Sequence, residues 1–261
     1  MKRHGLVLLA VVVAGLVGLA VAQEVTSINV VGFTKIIAPP APDLVMFSCM
    51  FDPVGCDPRV GGTNYLRDLF GTNQLAKHDS NPARADRIYK FIPPDKYEIY
   101  FMKNDGQFYN ATNASVPVNP PVLAGDAFWF RQPSTATNAK ELILAGQVVE
   151  VATNLQGMIA NFQMLGYPFT SDVGINETGF KDSPGSTKHD TNPARADRLY
   201  VYMGGGEYAI YGLKNDGWHS VIGYATNAPT TDVIPLGRGF WYNAKTGGWT
   251  WVEGNRYLGN L

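Results

Sequence analysis

With 21 Lys and Arg against 22 Asp and Glu in 261 residues, the chain has a formal net charge of −1 and no basic surplus to draw it to nucleic acid or an anionic membrane. Twenty-eight Gly and 17 Pro exclude a predominantly helical protein and point to short, turn-separated elements.

Met1 to Ala22 reads as a secretory signal. Lys2, Arg3 and His4 supply a positive start, an apolar run follows from Gly5, and Ala20-Val21-Ala22 offers small residues before Gln23. Cleavage is expected after Ala22, with an uncleaved anchor as the alternative. No later stretch approaches the roughly 20 apolar residues of a spanning helix, so no membrane span is expected once the signal is gone. The product is expected to be secreted or held at the cell surface, with a mature net charge of about −3 once Lys2 and Arg3 are lost.

Strand character begins at Ile28–Ile37 and returns at Leu44–Phe51, each rich in Val, Ile and Phe. Cys49 and Cys56 lie seven positions apart around the turn-forming Asp52-Pro53 and Gly55, and export makes a local disulfide between them the expectation. Asn64–Phe70 is the best candidate for a short helix, because no window sustains apolar residues at helical spacing for three turns.

Lys77 to Tyr89, KHDSNPARADRIY, comes back 111 positions later as KHDTNPARADRLY at Lys188 to Tyr200, matching at 11 of 13 positions. Two further blocks repeat in the same order: YEIYFMKNDG at Tyr97 to Gly106 with YAIYGLKNDG at Tyr208 to Gly217, and LAGDAFWF at Leu123 with PLGRGFWY at Pro235. The chain is therefore a tandem duplication with two units of about 115 residues, each large enough for its own core. Further strands are expected at Arg87–Ile92, Glu98–Met102, Ala127–Arg131 and Glu141–Val151, and in the second copy at Arg198–Met203, Tyr208–Leu213, Gly239–Asn243 and Thr250–Val252. Each KNDG should close a β-hairpin. The glycine-then-strand pattern at Gly32 recurs at Gly146, which sets the units at residues 23–145 and 146–261. The fold class is all-β: two similar antiparallel β-sandwich-like domains in tandem.

In the repeated loop, Asn81-Pro82 and Asn192-Pro193 mark turns. Asp79 and Asp86 are expected to fork onto Arg84 and Arg87, with Asp190, Asp197, Arg195 and Arg198 repeating the arrangement. A hard-cation site on Asp79, Asn81 and Asp86 is the other option, although the arginines oppose it. His78 and His189 each stand beside an aspartate, but the mature chain has only His219 besides them and lacks the remaining ligands of a zinc site. No cofactor or metal is expected. No nucleophile elbow, metalloprotease helix or phosphate loop occurs, so no catalytic residue is assigned.

Of the five tryptophans, Trp129 and Trp241 occupy matching positions in Phe-Trp-Phe and Phe-Trp-Tyr and are expected to turn one ring into the core. Trp218, beside a hairpin turn with no evident aromatic counterpart, is expected to be exposed. Trp249 and Trp251, two apart, share one sheet face. These three are the candidate stacking platforms for a glycan.

The order of blocks resembles a group of functionally uncharacterised exported bacterial β-repeat proteins: Val31-Gly32-Phe33, then Ala85 to Tyr89 and Ala196 to Tyr200, then Gly125 to Trp129 and Gly237 to Trp241. The resemblance implies export and tandem β-domains and carries no catalytic residues. The expected role is a non-catalytic structural or interaction protein whose partners are other copies of itself or other surface proteins. Val25–Ile37 is the segment most able to add to a neighbour's sheet, unless it serves only as the first strand of its own unit. The alternative is a carbohydrate-binding module.

Overall fold

The structure, a computed structural model, describes residues 31–56, 62–70, 73–256 and 258; the signal segment and residues 23–30 lie outside them. The first half runs β1 (Val31–Ala38), β2 (Val45–Ser48), β3 (Phe51–Asp52), β4 (Asn64–Tyr65), α1 (Leu66–Phe70), β5 (Arg87–Ile92), β6 (Lys96–Met102), β7 (Phe108–Asn110), β8 (Asn113–Val118), β9 (Pro121–Val122), β10 (Ala127–Arg131) and β11 (Lys140–Val148). The second runs β12 (Thr153–Met158), β13 (Asn161–Gly166), β14 (Val173–Gly174), β15 (Arg198–Gly204), β16 (Glu207–Lys214), β17 (Gly217–Ser220), β18 (Val233–Ile234), β19 (Gly239–Ala244) and β20 (Trp249–Gly254). Every strand pairing is antiparallel, so the all-β expectation holds.

The duplication is written into the topology. A main sheet in the order β2-β10-β5-β6-β7-β8 is matched by β13-β19-β15-β16-β17, and the β1-β11 pair by the β12-β20 ribbon. In each half the ribbon lies over the inner face of the main sheet, as in a sandwich. Ile36 and Ala38 from β1 and Leu142 and Leu144 from β11 meet Phe47, Phe128 and Phe130 in the first core. In the second, Phe180 is stacked between Tyr242 and Trp251, with ring centroids at 4.3 and 4.1 Å.

The boundary signal has a local cause. Gly32 and Gly146 sit opposite each other in the β1–β11 register, and the space a Cβ would take at either is filled by the Phe51 side chain, at 2.9 and 2.6 Å. They form one slot for one ring. β11 continues through this point to Val148, pairing with β1 and then β3.

The outer faces of the two main sheets carry the residues that alternate with the core, and there the halves join. Met46, Ala127 and Trp129 pack with Met164, Tyr202 and Trp241 in a third buried cluster. The contacts are reciprocal. Ser48 N–H donates to Gly237 O at 2.9 Å while its counterpart Gly166 N–H donates to Gly125 O at 2.8 Å. Trp129 meets Tyr202 edge to face at 4.8 Å, and Trp241 meets Phe91 the same way at the same distance. This is the pattern of an isologous dimer interface made within one chain.

Candidate functional site

The repeated loop is a hydrogen-bonded structure in both copies. Asn81 Oδ1 accepts from Ala83 N–H at 2.9 Å and caps the 3-10 turn Pro82–Arg84; Asn192 does the same for Ala194. His78 Nδ1 accepts from Asn81 N–H and His189 Nδ1 from Asn192 N–H, each at 3.0 Å, which commits these nitrogens to the loop rather than to a metal or a proton transfer.

The expected arginine forks are not formed. Asp79 instead accepts from the backbone N–H of Asn104 at 3.0 Å and its Nδ2 at 2.7 Å, and Asp190 holds Asn215 at 3.1 and 2.8 Å. Those donors, the backbone N–H first, keep both carboxyls below the usual carboxylate range. Asp86 and Asp197 are buried and cap the segment before the loop, at Ala76 N–H and Thr187 N–H. Asp86 also pairs with Lys140, and Asp197 also accepts from Tyr242 Oη and Lys245 N–H, while burial raises both carboxyl pKa values. Arg84 and Arg195 point to solvent, the Arg87 Nε is buried without a partner, and the Arg198 guanidinium lies 5.5 Å over the Tyr200 ring. Asp79 and Asp190 are claimed by a turn, and Asp86 and Asp197 by backbone N–H groups and by Lys140 or Tyr242, while Asp86 Oδ1 and Arg87 Nε are each left buried without a partner. Asp79 and Asn81 are taken up by hydrogen bonds and Asp86 through one of its two oxygens, and among the described residues no group of three or more His, Cys, Asp or Glu could hold a metal ion.

The tryptophans also require correction. Trp218 is wholly buried, packed edge-on to Phe180 and Tyr242. Its counterpart is Phe108: Leu213 pairs with Trp218 as Met102 pairs with Phe108, the first hairpin being one residue longer at Gln107. Trp251 is buried beneath Phe180. Trp249 shares its face, as the spacing requires, but that face is the inner one; its ring fills the space beside Gly185 and its Nε1 donates to Thr246 O. None of the three is a free stacking platform. Trp129 and Trp241 are buried, but on the outer faces of their sheets, in the seam between the halves; the rings that turn into the two cores are their neighbours Phe128, Phe130, Phe240 and Tyr242.

No disulfide joins Cys49 to Cys56. Cys49 is buried in the first core with Sγ donating to Phe51 O, and burial pushes its thiol up to about 12. The side chain is committed to the core, away from the turn it was expected to staple.

What stands unpartnered is the outer face of the two ribbons. On β1 the burial alternates strictly: Ile36 and Ala38 point in, while Val31, Phe33 and Ile37 point out, with Phe33 75% exposed. Cross-strand neighbours Ile143 and Ala145 extend the face, and a Lys35–Glu141 ion pair at 2.9 Å lies among them. In the second ribbon, Leu155, 68% exposed, stands opposite exposed Val252. Among the described residues no strand pairs with the far edge of β1 or β12. Spacing alone predicted β1 but not its outward apolar residues, which a strictly alternating strand with apolar residues on both faces could have signalled.

No helix among the described residues is long and apolar enough to cross a membrane. No family model matches the chain, and no curated protein does.

Proposed function

We propose that this is an exported, non-catalytic structural protein that self-associates through the outer faces of its two ribbons and builds an assembly at or beyond the cell surface. The supporting observation is the β1 edge, which no strand among the described residues pairs, beside the exposed row Val31, Phe33 and Ile37. Exposed sheet edges with apolar flanks recruit further strands, and natural proteins guard against this with charge, proline or cover. Here the ribbon edge carries one lysine and no proline. The occupant is a second copy, because the chain carries the face twice: Phe33 with Ala145 in one ribbon and Leu155 with Val252 in the other occupy corresponding places. Two like faces on one molecule extend an assembly, whereas one face would stop at a dimer.

The test is the mass of purified Gln23–Leu261 by light scattering, with electron microscopy of the same sample. Filaments, sheets or a large oligomer are expected. Phe33→Lys with Ile37→Lys blocks one face and should stop growth at dimers; adding Leu155→Lys should give monomers. These side chains point outward, so the substitutions leave the core intact, whereas deleting β1 would remove Ile36 and Ala38 from it. A monomeric parent protein would refute the proposal.

A further inference from the structure

The seam where the halves meet leaves a hollow of about 440 Å³, walled by Phe91 and Pro94 from the first half and Phe162, Tyr200, Tyr208 and Trp241 from the second. Its rings form an unbroken chain of contacts. Phe91 touches Trp241 at 4.8 Å, Trp241 touches Phe162 at 6.0 Å, Phe162 touches Tyr200 at 5.4 Å, and Tyr200 touches Tyr208 at 6.4 Å, with interplanar angles of 83°, 86°, 54° and 84°. Each ring is held by its neighbour, so the walls are oriented before any ligand arrives. Phe162 and Tyr208 keep 38% and 36% of their surface in solvent, unlike the tryptophans at the centre of the seam.

We propose that this hollow binds an uncharged, flat ring with apolar faces, aromatic rather than a sugar. Charge selects first. Among the described residues no Lys, Arg, His, Asp or Glu lines the walls, and the Arg198 guanidinium on Tyr200 repels a cation that would otherwise suit an aromatic box. Hydrogen bonding selects next. The polar side-chain atoms in the walls are three, the Tyr200 and Tyr208 hydroxyls and the Trp241 indole N–H. A sugar entering here would leave most of its hydroxyls without partners, at a cost an apolar ring does not meet. The volume lies within the range of small-ligand pockets.

The duplication adds an independent observation. The strand registers place Leu44 at the position corresponding to Phe162, and counting along the hairpins places Gly205 opposite Pro94. The copies have therefore diverged at two wall positions, and only one side of the seam carries the fifth ring and the proline.

The experiment uses indole as the probe, read by calorimetry and by saturation transfer from the protein, with cellobiose and choline run alongside. Indole should bind with a Kd of about 1 mM or tighter, and the other two should not. Phe162→Leu, which copies the first half and changes a part-exposed side chain, should weaken binding about tenfold; Pro94→Gly gives a second variant of the same design. Binding of cellobiose or choline in preference to indole, no binding of indole to the parent protein, or unchanged affinity in both variants would overturn the proposal.

Discussion

Replacing Gly166 by alanine should drive the two halves apart. A Cβ at this position would lie 2.0 Å from Ser48 Cβ, where ordinary contact begins at about 3.4 Å, and the obstacle is a short side chain on a paired strand. Relief requires β2 and β13 to separate by well over 1 Å. That strains the reciprocal bonds from Gly166 N–H to Gly125 O and from Ser48 N–H to Gly237 O, each worth about 1 kcal/mol net. Overpacking of the seam adds about 1–3 kcal/mol. The expected loss is about 3–5 kcal/mol, a fall in Tm of roughly 10 °C for a chain of this size. The assay is denaturant and thermal unfolding of four proteins: parent, Gly166→Ala, Ser48→Gly and the double variant. Ser48→Gly vacates the space and should restore most of the loss, and it also removes a buried hydroxyl with no partner. Gly157→Ala in β12, where nothing lies within 4 Å, is the control and should be near neutral. A Gly166→Ala protein within 1 kcal/mol of the parent, or a double variant no better than the single, would refute the reasoning.

Trp218→Ala should cost about 3–5 kcal/mol in unfolding experiments, because a fully buried ring against Phe180 and Tyr242 is removed; retained stability would show that the ring is not in the core. The Cys49 thiol should not react with a thiol reagent in the native protein and should react on unfolding, since burial holds it protonated; rapid native reaction would contradict its place in the core. Burial raises the carboxyls of Asp52, Asp86, Asp126, Asp197 and Glu253. Their contribution to stability is full below the unfolded pKa near 3.9–4.3 and is lost as pH rises through the folded values. Asp79, Asp105 and Asp190 are lowered by backbone hydrogen bonds, so theirs is present above the unfolded value and lost on further acidification. Denaturation midpoints should therefore peak near pH 4 and decline towards pH 7; a steady rise over that interval would show that the buried carboxyls do not dominate.

Strand positions were legible wherever apolar and aromatic residues cluster: Arg87–Ile92 and Ala127–Arg131 form with the bounds the sequence suggested, and both KNDG hairpins close as expected. Asn64–Phe70 holds the short helix, Leu66–Phe70. Thr153–Met158, Asn161–Gly166 and Asn113–Val118 were not legible, because their Asn, Gln, Thr and Gly content reads as loop and their pairing is set by partners distant in sequence. Trp218 was misread through a one-residue difference in turn length: Gln107 shifts the first hairpin, so its aromatic counterpart, Phe108, falls out of line with it in sequence. The arginine forks failed for a more general reason. Composition shows which charges are near one another along the chain, while the choice of partner depends on backbone donors that only the fold brings together.

Those donors also account for the close match of the two repeated loops. Asp79 and Asp190 each hold the asparagine of a KNDG turn 25 residues further on, and the backbone N–H groups of His78 and His189 donate to Met102 O and Leu213 O, at the strand that leads into that turn. The KHD and KNDG blocks are therefore two sides of one contact, and a change in either leaves the other with an unpaired donor or acceptor. The seam imposes the opposite demand. Where an approximate twofold brings corresponding residues against each other, two identical side chains cannot occupy the same space: Ser48 meets Gly166, and Ala127 meets Gly239. A duplicated chain folded back on itself must keep its copies alike where each half closes on itself and let them differ where the halves touch. Phe162 against Leu44 and Pro94 against Gly205 lie on that second kind of surface, which is where a tandem duplication is free to acquire a site that neither unit has alone.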